Sequence, residues 1–149
     1  MRRTALVIGT LLFGIGAVMA QQEVAVQQQN LMKAQGKDMY GVFGKILKGE
    51  IPYDQAAVDA ALADLEVQVT KIATTFTPNP KQDVKGASFG ASQKIWKNKS
   101  DFESKIPPVS KAIAEQKGTI KDSASLKTAY DAIQDKCTGC HDDYRVKLK

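Results

Sequence analysis

Histidine occurs once in the 149 residues, tryptophan once, cysteine twice and proline five times. A tetrahedral zinc site takes about four ligands, and one histidine with two cysteines falls short of that. There is no second histidine, and no acid–base pair stands at a recognisable spacing near the first, so the chain does not read as an enzyme. Few prolines and few β-branched runs argue against a sandwich or barrel. The composition, 43% hydrophobic and 25% charged, is that of an ordinary globular domain. It excludes a disordered chain, a collagen-like chain and a multi-span membrane protein. The formal charge is +5, but the basic residues are scattered among acids rather than massed in one arm, so nucleic acid is not an expected partner.

The N-terminus stands apart. Arg2 and Arg3 precede an almost wholly apolar stretch from Ala5 to Val18, and Val18-Met19-Ala20 places small residues before Gln21. This is the layout of a secretory signal peptide, residues 1–20. The apolar stretch is short of the roughly 20 residues a membrane span requires, so no anchor is expected after cleavage. Removing the leader takes two arginines and no acids, and the charge falls from +5 to +3. Residues 21–149 are then one domain, exported to a bacterial periplasm.

That domain shows four amphipathic segments. The first, about Gln22 to Lys48, carries Met32, Met39, Phe43 and Ile46, with Gly36 in the remaining slot, and stops at Gly49 before Pro52. The second, from Pro52–Asp54 to about Phe76, places Val58, Leu62, Leu65, Val69, Ile72 and Phe76 at alternating spacings of four and three. Thr77-Pro78-Asn79-Pro80 breaks the pattern, and a loop continues to about Ser92. The third carries Ile95, Phe102, Ile106, Val109 and Ile113, with a kink or two short helices expected at Pro107-Pro108. The fourth, about Ser123 to Lys147, steps through Leu126, Tyr130, Ile133, Cys137, Cys140 and Tyr144. The expectation is an all-α, antiparallel four-helix bundle.

Both cysteines and the histidine fall together in Cys137-Thr138-Gly139-Cys140-His141. C-x-x-C-H is the attachment signature of a c-type haem. Each thiol adds to one porphyrin vinyl group. Residues three apart share a helix face, so both sulfurs reach one edge of the ring, and His141 supplies an axial imidazole. A thioredoxin-like pair would instead open a helix in a βαβ context. The haem is expected in the bundle core beside the last helix. For the sixth position, once Met1 and Met19 leave with the leader, Met32 and Met39 remain. They lie about 10 Å apart along a helix, so one can meet the iron and both cannot.

The tail Cys137-Thr-Gly-Cys-His-Asp-Asp-Tyr144-Arg145 resembles the C-x-x-C-H-x-x-Y/F-R signature of class II c-type cytochromes, the cytochrome c-prime family. Lys48-Gly49-Glu50-Ile51-Pro52-Tyr53-Asp54 is similar to that family's link between helices one and two, and Lys94-Ile95-Trp96 to its helix three. Asn30-Leu31-Met32-Lys33-Ala34 resembles the low-spin, cytochrome c-556 branch, which implies Met32 as the sixth ligand. The alternative branch is five-coordinate and high-spin and binds NO or CO; the arginine frequent there one turn earlier would fall near Gln28. The resemblance further implies that Arg145 lies beside the haem and His141, and that copies can pair through the first two helices. Tyr144 and Trp96 are expected in the core. The implied function is one-electron transfer with periplasmic redox partners, steered by a rim of Lys33, Lys37, Lys136 and Lys147. Because the cofactor replaces side chains as packing material, the haem-free chain should melt at a lower temperature than the loaded one in parallel thermal scans; equal melting would refute this packing role.

Overall fold

The computed structural model describes residues 12–148, with side chains from Met19 onward. The expected leader therefore lies largely outside the described residues. Among those described, no helix is long and apolar enough to cross a membrane. Helix α1 spans Leu12–Gly36 and continues without a break through a π-helical segment, Lys37–Phe43, into α2, Gly44–Leu47. The second arm is α3, Gln55–Thr70, with α4, Ile72–Thr75. The third comprises three short helices, α5 (Lys94–Lys97), α6 (Lys99–Ser104) and α7 (Ile106–Ala114), and the fourth is α8, Ser123–Tyr144. The four arms form the expected bundle.

Local chemistry sets the boundaries. Gly49, at φ +71°, closes the first arm in a left-handed turn that glycine adopts without steric cost. The Asp54 carboxylate accepts from the Ala57 amide at 2.8 Å and caps α3. At α8, Asp122 accepts from the Ser125 amide at 2.8 Å while Ser125 Oγ accepts from the Asp122 amide at 3.1 Å, a reciprocal capping box. Pro107 and Pro108 fall in the first turn of α7, where a missing N–H breaks no helical bond. Of the kink or two short helices expected there, the structure has the short helices, α6 ending at Ser104 and α7 starting at Ile106.

The alternating four-and-three spacing translates directly into the core. Val58, Leu62, Leu65, Val69, Ile72 and Phe76 are all buried, as are Ile95, Phe102, Val109 and Ile113, and Leu126, Ile133 and Tyr144. Phe102 stacks edge-on against Tyr144 with ring centroids 5.2 Å apart, and the Tyr144 hydroxyl donates to Asp101. That bond holds the phenol pKa up at about 12.

Two features depart from the expected pattern. The last helix ends at Tyr144, not Lys147, because Arg145 turns extended and starts a short strand, β2 (Arg145–Lys147). It pairs antiparallel with β1 (Phe89–Ala91) inside what was expected to be loop, Phe89 opposite Lys147 and Ala91 opposite Arg145. The Ser92 amide donates to the Tyr144 carbonyl at 2.8 Å, capturing a group that the helix end leaves free.

The second departure is the π segment. There the Gly44 amide reaches back five residues to the Met39 carbonyl. Residues five apart then share a face, which buries Asp38 together with Phe43. Gln68 Nε2 donates to Asp38 Oδ2 at 2.9 Å, yet burial still raises the Asp38 pKa above the ordinary carboxylate value. An acid whose folded pKa is raised contributes its stability below the unfolded pKa and loses it as pH rises through the folded pKa. Asp38→Asn keeps an acceptor for Gln68 and removes the buried charge. It should therefore raise the denaturation midpoint at pH 7 and leave it nearly unchanged at pH 3; equal effects at both pH values would contradict this.

Candidate functional site

A large cavity, about 780 Å³, opens among the four arms. That volume lies in the range of roughly 300–1,000 Å³ typical of cofactor sites. Its inner wall is apolar: Ala25 from α1, Leu65 and Val69 from α3, Ile72 from α4, Phe102, Val109 and Ile113 from the third arm, and Ile133 from α8. Residues 80–93, including β1, form a roof. Pairing with β2 holds this roof down, as does the Arg145 guanidinium lying 4.7 Å over the Phe89 ring.

All the residues singled out for cofactor binding meet here. Cys137, Cys140 and His141 line the α8 side, Met32 and Met39 the first-arm side, and Arg145 the rim. Both cysteines are free thiols, half-buried, three residues apart on one helical face. Burial pushes the Cys137 thiol up to about 11 and raises Cys140 as well, the latter against a lowering influence from Lys105. Reactive redox dithiols show the opposite, a depressed pKa in an electropositive setting. His141 is shifted the other way for a base. Burial, then the nearby Arg145 charge, lower its pKa against a small raising effect of Asp142, so its imidazole is neutral at pH 7. A neutral imidazole has the free lone pair an iron ligand needs.

The two methionines are not equivalent. Met39 belongs to the π segment and is only 3% exposed, packed into the core cluster with Phe43 and Ile46. Met32 is half-buried and packs against that cluster from the cavity side. Trp96 is half-buried as well, and its indole N–H donates to the Phe76 carbonyl at 2.9 Å. Of the rim lysines, Lys33 lines the cavity mouth, Lys37 and Lys147 are exposed, and Lys136 pairs with Asp135 at 2.8 Å.

Sequence reasoning did not foresee the glutamines of α1 as part of the site. Gln28 is 4% exposed, and its Nε2 donates to the carbonyls of Thr75 (3.1 Å) and Pro78 (2.9 Å), satisfying the free end of the second arm. Gln35 also lines the cavity, and its Nε2 is buried with no hydrogen-bond partner. The signal was present: Gln28, Met32, Gln35 and Met39 follow the same four-and-three spacing as the apolar stripes.

These residues fit a c-type haem. Two thiols and a neutral imidazole border one side of an apolar cavity large enough for a cofactor. Two thioethers line its first-arm side, and a buried amide donor there has no partner.

Comparison with known proteins agrees. The family model described as Cytochrome C' matches residues 23–145. Cytochrome c-555 of Bradyrhizobium diazoefficiens is 64% identical over 149 residues, covering 100% of both chains. Cytochrome c-556 of Rhodopseudomonas palustris is 40% identical over 99% of each, and cytochrome c' of the same organism 33% identical over 97% of each. Among solved structures, the NMR-validated model of oxidized R. palustris cytochrome c556 is similar with a TM-score of 0.73 at 37% identity, covering 86% of this chain and 99% of that one.

Proposed function

The chain belongs to the cytochrome c' family, a haem-c electron carrier by that membership, and we propose that it works in the bacterial periplasm with His141 and Met32 as the two axial ligands of its iron. One haem c, joined through Cys137 and Cys140, is the cofactor its C-x-x-C-H motif is spaced for. When bound, the haem supplies an iron that gains and loses one electron.

The observation that supports the ligand reading is that Met32, half-buried, lines the cavity from α1 and packs against the core cluster from outside it, whereas Met39, also in the lining, is 3% exposed and belongs to that cluster. Two relatives at 64% and 40% identity are named cytochrome c-555 and c-556, which supports the low-spin branch. The chain's residues then have separable tasks. His141 donates a neutral nitrogen and Met32 a weak sulfur donor, a pairing that favours the reduced iron relative to two imidazoles. Both ligands stand on rigid helices, so little rearranges between oxidation states. The apolar wall excludes water, and Trp96 and Gln28 brace the end of the second arm that forms part of it.

The reading includes an exported chain whose leader, residues 1–20, is removed, and partners that are redox proteins rather than small substrates, with no catalytic role. Lys33, Lys37 and Lys147 take part in no ion pair among the described residues, whereas the Lys136 charge is offset by Asp135. The first three therefore make the positive rim that would steer an acidic partner. Pairing of two copies through the first two arms belongs to the same reading, and the exposed Val67 on α3 is an apolar side chain that such an interface would cover.

Met32→Ala should convert the sharp, split α-band of a low-spin reduced haem into the broad single band of a five-coordinate one, and open the iron to CO. An unchanged band would return the sixth position to Met39; a broad band in the unaltered protein would favour the gas-binding branch. The second-order rate of oxidation by ferricyanide, an anion, should fall as ionic strength rises from 10 to 500 mM; a flat response would remove the lysine rim from the account.

A further inference from the structure

Away from the roof, α1 brings a run of polar side chains to the cavity. Three glutamines line it there, Gln28, Gln29 and Gln35. The amide nitrogen of Gln28 is fully engaged with two backbone carbonyls. That of Gln35 is buried and donates to nothing. A buried amide N–H without an acceptor is rare, because burial strips its water and gives nothing back. Such a group either stores that cost or is matched to an acceptor that arrives with the functional state.

The acceptor must come from what shares the wall with it. Gln35 follows Met32 by three residues on α1, so the two side chains are neighbours on one helix face. Both line the cavity. A thioether sulfur is a weak acceptor, and in an apolar, water-free setting even a weak acceptor improves on none. One other orphan exists among the described residues: Gln68 Oε1, an acceptor, on the neighbouring α3. Gln68 Nε2 is held by the buried Asp38 carboxylate, and Gln68 does not line the cavity. It is the competing partner.

We propose that in the haem-loaded protein the Gln35 amide donates a hydrogen bond to the Met32 thioether, which it does not reach in this structure, and thereby sets how strongly that sulfur binds the iron. Gln35 is thus a positioning residue for electron transfer, acting through Met32. The proposal rests on Met32 being the sixth ligand. An N–H directed at the sulfur draws electron density away from it. The oxidised iron, which needs that density more, is disfavoured, and the reduction potential rises.

The test compares the loaded wild-type protein with Gln35→Leu, Gln35→Ala and Gln68→Leu, by spectroelectrochemistry, by the α-band and by denaturant unfolding. Gln35→Leu removes the donor, and Gln35→Ala removes it without adding a charge, should the leucine variant fold poorly. Both should remain low-spin, with potentials more negative than wild type. The sulfur-to-iron charge-transfer band of the oxidised form should shift, and added imidazole should displace Met32 less readily. Gln68→Leu should leave potential and band unchanged. The inference fails if Gln35→Leu keeps the wild-type potential and instead loses stability to the same extent as Gln68→Leu, because the two glutamines then pair with each other. A high-spin wild-type spectrum would be a different failure, that of the ligand reading beneath it.

Discussion

Two sulfurs one helical turn apart near the end of α8 are the constraint to which everything else in this fold is fitted. Their spacing fixes one edge of a flat, rigid ring. The residue after the second sulfur is the lone histidine, so the same turn brings an imidazole to the cavity. The remaining freedom lies in the other side chains that line it. The bundle answers with apolar residues from all four arms and two methionines on the first. A four-helix core would ordinarily close on itself with interdigitating side chains. Here the arms stay apart along one stretch, and the long side chains stop at the cavity's surface.

Keeping such a space open creates a polar problem at its borders. A helix that ends beside an apolar cavity exposes carbonyls that water cannot reach freely. The end of the second arm is in that position, and two side chains from other arms meet it: Gln28 takes the Thr75 and Pro78 carbonyls, and Trp96 takes that of Phe76. These bonds do double duty. They satisfy the backbone, and they tie the first, second and third arms together at the level of the cavity, where direct side-chain packing is thinnest. The tryptophan expected as core filler is therefore a strut.

Much of this was legible in the residues. The period of the apolar positions named almost every buried side chain of the second and fourth arms, because a helix converts a spacing of four and three into one face without further information. The C-x-x-C-H motif named the site, because its chemistry demands that order of residues. The π segment was not legible: Lys37–Phe43 has no compositional mark, and its consequence, a buried Asp38, contradicts the usual placement of a carboxylate. The strand pairing was hidden because three residues are too few to show a period of two, and because Arg145 fits equally well as one more turn of α8. The glutamines were overlooked because an amide at a helical position reads as solvent-facing. Only the cavity shows that Gln28 and Gln35 share a stripe with the methionines.

Phe89 and Lys147 are joined across most of the second half of the chain, so their pairing waits until nearly the whole polypeptide is available and a long loop can close. The walls reach further along the chain still, since the Tyr40 hydroxyl donates to Gln134 across 94 positions. Chamber and cover therefore close together, once the C-terminal residues are present.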